Sequence, residues 1–279
     1  MDYRVSRNQK GVRVMDYMKG NKEAWEEAFE RRDPAWGLDI ARKIRSERYP
    51  FLEKDTLPII ERLGLKGKAI GQFCSNNGRE LLSLMQSGAV EGIGFDIAEN
   101  QVAFANAQAL ELGLNCKFVA TNILDIGEDY RNRFDFILIT IGALCWFKDL
   151  DAFFAKVSAC LKPGGTLLIN EQHPVTNMLG APGEEEYLEA YPATLVNDYF
   201  YKEWTGNDGM YYIAQKAYRS KTFTDYSHPL SEILNAMIRA GLELRGLQEF
   251  DYDISGMFSA LNGKGIPLSC IIEARKAPL

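Results

Sequence analysis

From Lys68 onward short β-branched runs alternate with helical stretches, and this alternation restricts the fold more than any other feature of the chain. The strand candidates are KAIGQF (68–73), EGIGF (91–95), CKFVA (116–120), FDFILIT (134–140) and GTLLIN (165–170). Between them lie ENQVAFANAQALELG (99–113) and LDAFFAKVSACLKPGG (150–165). In the second, Leu150, Phe153, Phe154, Val157 and Leu161 form one apolar stripe, and Gly164-Gly165 is the predicted helix stop. Strands separated by helices of this length pair in parallel, because a parallel neighbour needs a long crossover, and the helices then cover both faces. A helix over HPLSEILNAMIRAG (228–241) follows later, with Leu230, Ile233, Leu234, Met237 and Ile238 on one face and Gly241 at its end. LELRGLQEF (242–250) and IPLSCIIEARK (266–276) read as two more strands.

The flanking segments have a different character. In NKEAWEEAFERRDP (21–34) Asn21 is the predicted N-cap, Trp25, Ala28 and Phe29 recur at helical spacing, and Pro34 lies beyond the end. FLEKDTLPIIERLGL (51–65) is a second helix, ending at Gly64. Residues 175–226 are rich in turn formers and hold eight of the 13 tyrosines, with Trp204 among them. The expected organisation is an N-terminal helical cap (1–66), a core (67–174), an inserted aromatic lid (175–227) and a C-terminal part completing the core (228–279).

Composition narrows the functional classes. A net charge of −6 without a basic stripe disfavours a nucleic-acid partner. Five cysteines with no CxxC pair, beside two histidines, give neither a disulfide framework nor a metal-ligand set. MDYRVSRNQKGVRV lacks the apolar core of a signal peptide, and FDFILITIGALCWF (134–147) is too short to span a bilayer, so a cytoplasmic protein without membrane partners is expected.

The segment KAIGQFCSNNGRELLSLM (68–85) runs from strand through loop into helix, yet holds one glycine in the loop, Gly78. Parallel sheets bind ligands at the carboxyl ends of their strands, where the first loop and the next helix N-terminus meet the ligand. Asp96, 18 residues after Gly78, ends the second strand, where a carboxylate can accept from two ribose hydroxyls. By spacing alone it serves equally as an exposed cap of the next helix.

In order, these features resemble the class I S-adenosylmethionine (SAM) dependent methyltransferases, from about Lys68 to Pro174 and more loosely to the C-terminus. The family's acid-x-Gly-x-Gly-x-Gly loop falls on Gln72, Cys74, Asn76 and Gly78, and its second-strand acid on Asp96. A third-strand step falls on Thr121, Asn122 and Ile123, and LKPGGTLLI (161–169) matches the turn into the fifth strand. GALCWFKDL and NEQHP further resemble a bacterial small-molecule branch. The resemblance implies an α/β, Rossmann-like, doubly wound and mostly parallel seven-stranded sheet whose last two strands are antiparallel. It also implies methyl transfer from SAM to a small-molecule acceptor, leaving S-adenosylhomocysteine (SAH). The departures are an amide at Gln72, Cys74 and Asn76 in place of glycine, and Asn122 in place of an acid. Asn tolerates left-handed backbone, so Asn76 and Asn77 can hold the turn.

On this reading Gln72, Phe73, Cys74, Ser75, Asn76, Asn77 and Gly78 form the cofactor loop. Asp96 with Ile97 takes the ribose, and Asn122 with Ile123 the adenine. Thr140, Ile141 and Gly142 face the methionine portion. His173 is the candidate base, or else a histidine bonded to backbone at a loop start. Trp146, Glu171, Tyr199, Trp204, Tyr226 and His228 are candidate acceptor contacts, with helix capping the alternative for His228 and packing of the insert against the sheet edge, or at a homodimer interface, the alternative for the tyrosines. Two other functions compete: a non-catalytic SAM- or SAH-binding protein with a degenerate loop, and a nicotinamide-dependent oxidoreductase, for which the loop lacks GxGxxG.

Overall fold

A computed structural model describes residues 17–182, 184 and 187–278. Helix α1 (Tyr17–Glu30), α2 (Ile40–Ser46) and α3 (Leu57–Leu63) precede the sheet. Then β1 (Ala69–Phe73), α4 (Arg79–Leu84), β2 (Glu91–Asp96), α5 (Glu99–Leu112), β3 (Cys116–Ala120), β4 (Phe134–Thr140), α6 (Leu150–Cys160) and β5 (Leu161–Gln172) alternate as expected. The insert holds β6 (Glu203–Gly206), α7 (Tyr211–Ala214) and β7 (Phe223–Tyr226), and α8 (Leu230–Arg239), β8 (Leu242–Phe250) and β9 (Ser269–Lys276) complete the chain.

The main sheet has seven strands in the order β3-β2-β1-β4-β5-β9-β8. The first five are parallel, and β9 runs antiparallel to both β5 and β8. Successive residues of β4 point to opposite faces, and both faces are apolar. Ile137 and Ile139 join Phe73, Phe95 and Ile169 beneath α6 and α8, while Phe136 and Leu138 join Ile70 and Leu168 beneath α3, α4 and α5. Strand order reverses between β1 and β4, so the carboxyl ends of these two strands open a crevice.

Close packing at β2 dictates one residue. A Cβ on Gly94 would lie 2.3 Å from the Phe118 ring and 2.9 Å from Ser75 Oγ, so only glycine lets β3 and the first loop close over that strand.

Three expectations need correction. Helix α1 starts at Tyr17, so Asn21 is inside it rather than capping it. Its buried amide bonds β7 instead: Nδ2 donates to the Thr224 carbonyl (2.7 Å) and Oδ1 accepts from the Thr224 N–H (2.7 Å). Helix α6 ends at Cys160, before Gly164, because Leu161 already pairs with Phe134 in the sheet. Ile238, placed on the apolar face of α8, is 60% exposed, whereas Ile233 and Met237 are buried. The three N-terminal helices also pack differently from one another. Helix α1 lies against the insert, sharing the cluster of Ala24, Ala28, Ile213 and Phe223, while α2 and α3 pack on the sheet.

Candidate cofactor and acceptor site

The loop between β1 and α4 returns to left-handed backbone at every second residue: φ is +57° at Cys74, +47° at Asn76 and +81° at Gly78. These are the three positions where the resemblance places glycines. Left-handed backbone costs an ordinary residue about 1–2 kcal/mol and asparagine less, so the loop keeps its shape at a local cost carried mainly by Cys74. Asn77, the other residue expected to hold the turn, has no left-handed backbone; its Oδ1 accepts weakly from the Arg79 N–H (3.4 Å). The loop is tied down from within. The Ser75 N–H donates to the Phe95 carbonyl (2.9 Å), Asn76 to Asp96 Oδ2 (2.7 Å) and Gly78 to the Ser75 carbonyl (2.8 Å). Asn76→Gly is therefore expected to be nearly neutral in urea denaturation, and Asn76→Ala to cost about 1 kcal/mol, from strain and the lost Asn76 Oδ1–Asn77 N–H bond (2.7 Å).

Gln72 is fully buried and its amide uses both ends. Its Oε1 accepts from the Leu81 N–H (3.0 Å) in the first turn of α4, and Nε2 donates to Thr140 Oγ1 (3.2 Å) at the end of β4. The amide thus joins the two lips of the crevice, a job requiring one donor and one acceptor. Phe73 and Ile123 are core residues, Phe73 meeting Phe95 edge-on with ring centroids 5.4 Å apart. Ser75 is buried, with Oγ unpaired.

Asp96 stands at the tip of β2, neither solvent-exposed nor a side-chain cap of α5, with Ile97 half-buried beside it. Oδ2 accepts from Asn76 and Oδ1 from the Ala98 N–H (3.0 Å), and each oxygen keeps a second lone pair for a ligand hydroxyl. Burial pushes its carboxyl above the usual range, against the pull of the Ala98, Asn76 and Ile97 N–H groups. Asn122 caps the short turn after β3 through Oδ1, which accepts from the Leu124 N–H (3.1 Å). That leaves the Nδ2 donor as the part of this side chain suited to a purine nitrogen.

Glu171 holds the opposite lip. Its Oε1 accepts from the N–H groups of Gly142 and Gln172 (2.9 Å for the latter), and its Oε2 from Ala143 (2.9 Å) and Leu144 (3.3 Å). Burial raises its pKa while these donors oppose the rise. A carboxylate so engaged fixes the loop after β4, where Gly142 has φ +76°, and has no oxygen free for an acceptor. Thr140 and Ile141 line a cleft with Phe51, Arg79, Asn170 and Ile254.

The remaining candidates separate. His173 is buried. Its Nδ1 accepts from the Val175 N–H (3.2 Å), which puts the proton on Nε2, 2.9 Å from Glu249 Oε1 on β8. Burial lowers its pKa, the Glu249 carboxylate opposing. The backbone-bonded arrangement is the one observed. His228 does not cap α8: Nε2 lies 2.8 Å from the Phe147 carbonyl, and the Leu230 N–H is taken by the Tyr199 hydroxyl (3.0 Å). Trp204 donates to Ser227 Oγ (2.8 Å), and Tyr226 packs edge-on against Tyr17. Trp146 packs with Trp25 (5.3 Å) and Phe223 (5.7 Å), just after the β4 loop.

Residues 72–165 match a family described as methyltransferase domain. The core of this chain resembles that family. Its fold is that of the class I SAM-dependent methyltransferases. A SAM-dependent methyltransferase from Mesorhizobium loti superimposes with a TM-score of 0.57 at 19% identity, over 79% of this chain and 97% of that one. One from Methanosarcina mazei gives 0.56 at 17%, over 80% and 98%. Geranyl diphosphate C-methyltransferase from Streptomyces coelicolor A3(2) gives 0.60 at 13% identity, over 96% and 100%. No curated protein matches the sequence significantly.

Sequence reasoning missed two side chains in the surroundings of the crevice. Tyr212 of α7, in the insert, brings its hydroxyl 3.3 Å from Asn76 Nδ2, so the insert reaches the loop through a tyrosine not singled out above. Asp225 of β7 is half-buried, and its Oδ1 is withdrawn from water without a hydrogen-bond partner. Neither has a spacing signal, since each acts across the fold. Among the described residues no group of three His, Cys, Asp or Glu side chains is arranged to hold a metal ion, and no helix is long and apolar enough to cross a membrane.

Proposed function

We propose that this protein binds SAM at the crevice between β1 and β4 and transfers its methyl group to a small-molecule acceptor. The observation that carries the reading is the left-handed backbone at Cys74, Asn76 and Gly78, which preserves the loop's shape after two glycines have been replaced. The residues fit the cofactor's chemistry. Asp96 offers lone pairs to ribose hydroxyls, Asn122 Nδ2 offers a donor to adenine, and Thr140 and Ile141 line an adjoining cleft in which Arg79 is paired with Glu80 (2.7 Å).

Bound SAM supplies an electrophilic methyl on a sulfonium. The protein's share of such a displacement is alignment and exclusion of water rather than covalent participation. Glu171 contributes by fixing the Gly142–Leu144 backbone, and Gln72 by holding β4 at a set distance from α4. The tyrosine-rich insert reaches over the loop through Tyr212, consistent with a cover on the acceptor side. The diphosphate substrate in the name of the Streptomyces enzyme belongs to that enzyme and is not carried over.

Calorimetric titration with SAM, SAH and NADH tests the reading. Micromolar binding of the adenosyl ligands, none of NADH, and a loss of about tenfold or more in Asp96→Ala are expected, one lost charge-assisted hydrogen bond being worth roughly 1.5–3 kcal/mol. Folded, ligand-free protein that ignores both adenosyl ligands would overturn it.

A further inference from the structure

Three carboxylates stand around the crevice, and two of them have a backbone donor on each oxygen. Asp96 and Glu171 give both oxygens to backbone N–H groups. Asp225 does not: its Oδ1 is withdrawn from water without a hydrogen-bond partner. The β6–β7 ribbon carrying it packs over the turn 144–146 after β4, and Asp225 acts electrostatically on the Cys145 thiol there, together with Glu171 and Cys74 of the cofactor loop. It therefore sits beside the loop tips where β1 and β4 meet. The charged or titratable groups facing it are Cys145 from that turn, Glu184 from the insert and Tyr226 on its own strand, none of them a cation. Burial, aided by Glu184 and opposed by the residue's own N–H, raises its pKa to about 6. A carboxylate oxygen withdrawn from water without a donor is costly to keep, which marks a group waiting for a ligand rather than one holding the fold.

The surroundings say what kind of ligand. Phe223, two residues earlier on the same face of β7, contacts Trp146, and Trp204 is the register partner of Asp225 on β6. A lone carboxylate among aromatic rings suits an organic cation, which gains a charge-assisted hydrogen bond from the oxygen and attraction from the ring faces.

We propose that Asp225 is the docking point for an amine on the methyl acceptor, its Oδ1 accepting a hydrogen bond from the ammonium nitrogen beside Trp146 and Phe223. An ammonium nitrogen has no lone pair. Before it can react, one N–H bond must break and its proton pass to Oδ1, leaving a neutral amine and a protonated Asp225. This inference rests on the methyltransferase reading and adds the acceptor's chemical class to it.

The test uses three probes of one shape: benzylamine, benzyl alcohol and benzoate, titrated into the full chain with and without SAH. Benzylamine is expected to bind about tenfold or more tighter than the other two, and Asp225→Asn to erase that preference. In wild-type protein the Asp225 carboxyl, followed by carbon-13 NMR, should titrate at lower pH once benzylamine is bound. A purely structural carboxylate would show no such shift, and this measurement needs no variant to fold. Equal or absent binding of the three probes, a preference that survives in Asp225→Asn, or an unmoved titration would each overturn the proposal. SAH heats recorded on the same samples keep the two readings apart. SAH binding without an amine preference sinks this inference alone, whereas failure to bind SAH sinks the reading beneath it.

Discussion

Gly78→Ala is expected to destabilise the protein by about 2–5 kcal/mol and to abolish SAH binding in whatever remains folded. Two costs coincide at this position. Its φ of +81° is left-handed, which alone costs an alanine roughly 1–2 kcal/mol. The added Cβ would also sit 2.6 Å from Phe118 Cζ and 2.8 Å from Ala105 Cβ, both well inside contact distance. Phe118 is a buried ring held by β3 and Ala105 is part of helix α5, so neither swings away freely. Overpacking of that kind adds about 1–3 kcal/mol. Relief by displacing the loop would move Gly78 away from Ser75, and with it the Asn76–Asp96 bond that sets the ribose side of the crevice. Urea denaturation and SAH calorimetry on one sample read both consequences. Wild-type-like values in both would show that the loop is not locked as described.

The second large effect belongs to Glu171. Removing the carboxylate in Glu171→Ala strands the N–H groups of Gly142, Ala143, Leu144 and Gln172 in a region with little water. Losing a buried partner of this kind costs about 3–5 kcal/mol, partial rehydration included. Glu171→Gln is the informative companion. Each carboxylate oxygen serves two donors, and an amide keeps one oxygen while its NH2 confronts the other pair. The expected loss is therefore about half that of the alanine variant. Since the Gly142–Leu144 backbone forms one lip of the crevice, weaker SAH binding should follow the same order. Thermal unfolding and calorimetry of the three proteins check it, and a glutamine variant as stable as wild type would show that the four donors are not shared as the geometry indicates.

Much of the scaffold was legible along the chain. The β-branched runs separated by helices specify a parallel sheet because a parallel neighbour can be reached only through a crossover, and the period of each run is a local property. The spacing from Gln72 to Gly78 and on to Asp96 likewise locates the crevice, since loop and strand tip are joined by covalent distance. Asn76 was readable as a left-handed residue from its own chemistry. Cys74 was not, because nothing intrinsic to cysteine favours φ near +57°; the anchoring of the loop to Phe95 and Asp96 imposes it.

What the side chains do there was settled by partners distant in sequence. Gln72 reads as a lost charge along the chain, yet its buried amide joins Leu81 to Thr140, 68 residues away. Glu171 and His173 lie two residues apart at the end of the fifth strand, yet one closes the β4 loop and the other turns to Glu249 on β8. An unbroken strand would put both on one face, but β5 ends at Gln172 and the chain turns at His173, so the two side chains part. Asn21 left its capping role for the same kind of reason, finding Thr224 on a strand 203 residues on. Periodicity and spacing determined the sheet and the location of the crevice. The choice of which carboxylate is spent on backbone and which, at Asp225, is left open belongs to tertiary packing, because burial and hydrogen-bond supply exist only once distant segments meet.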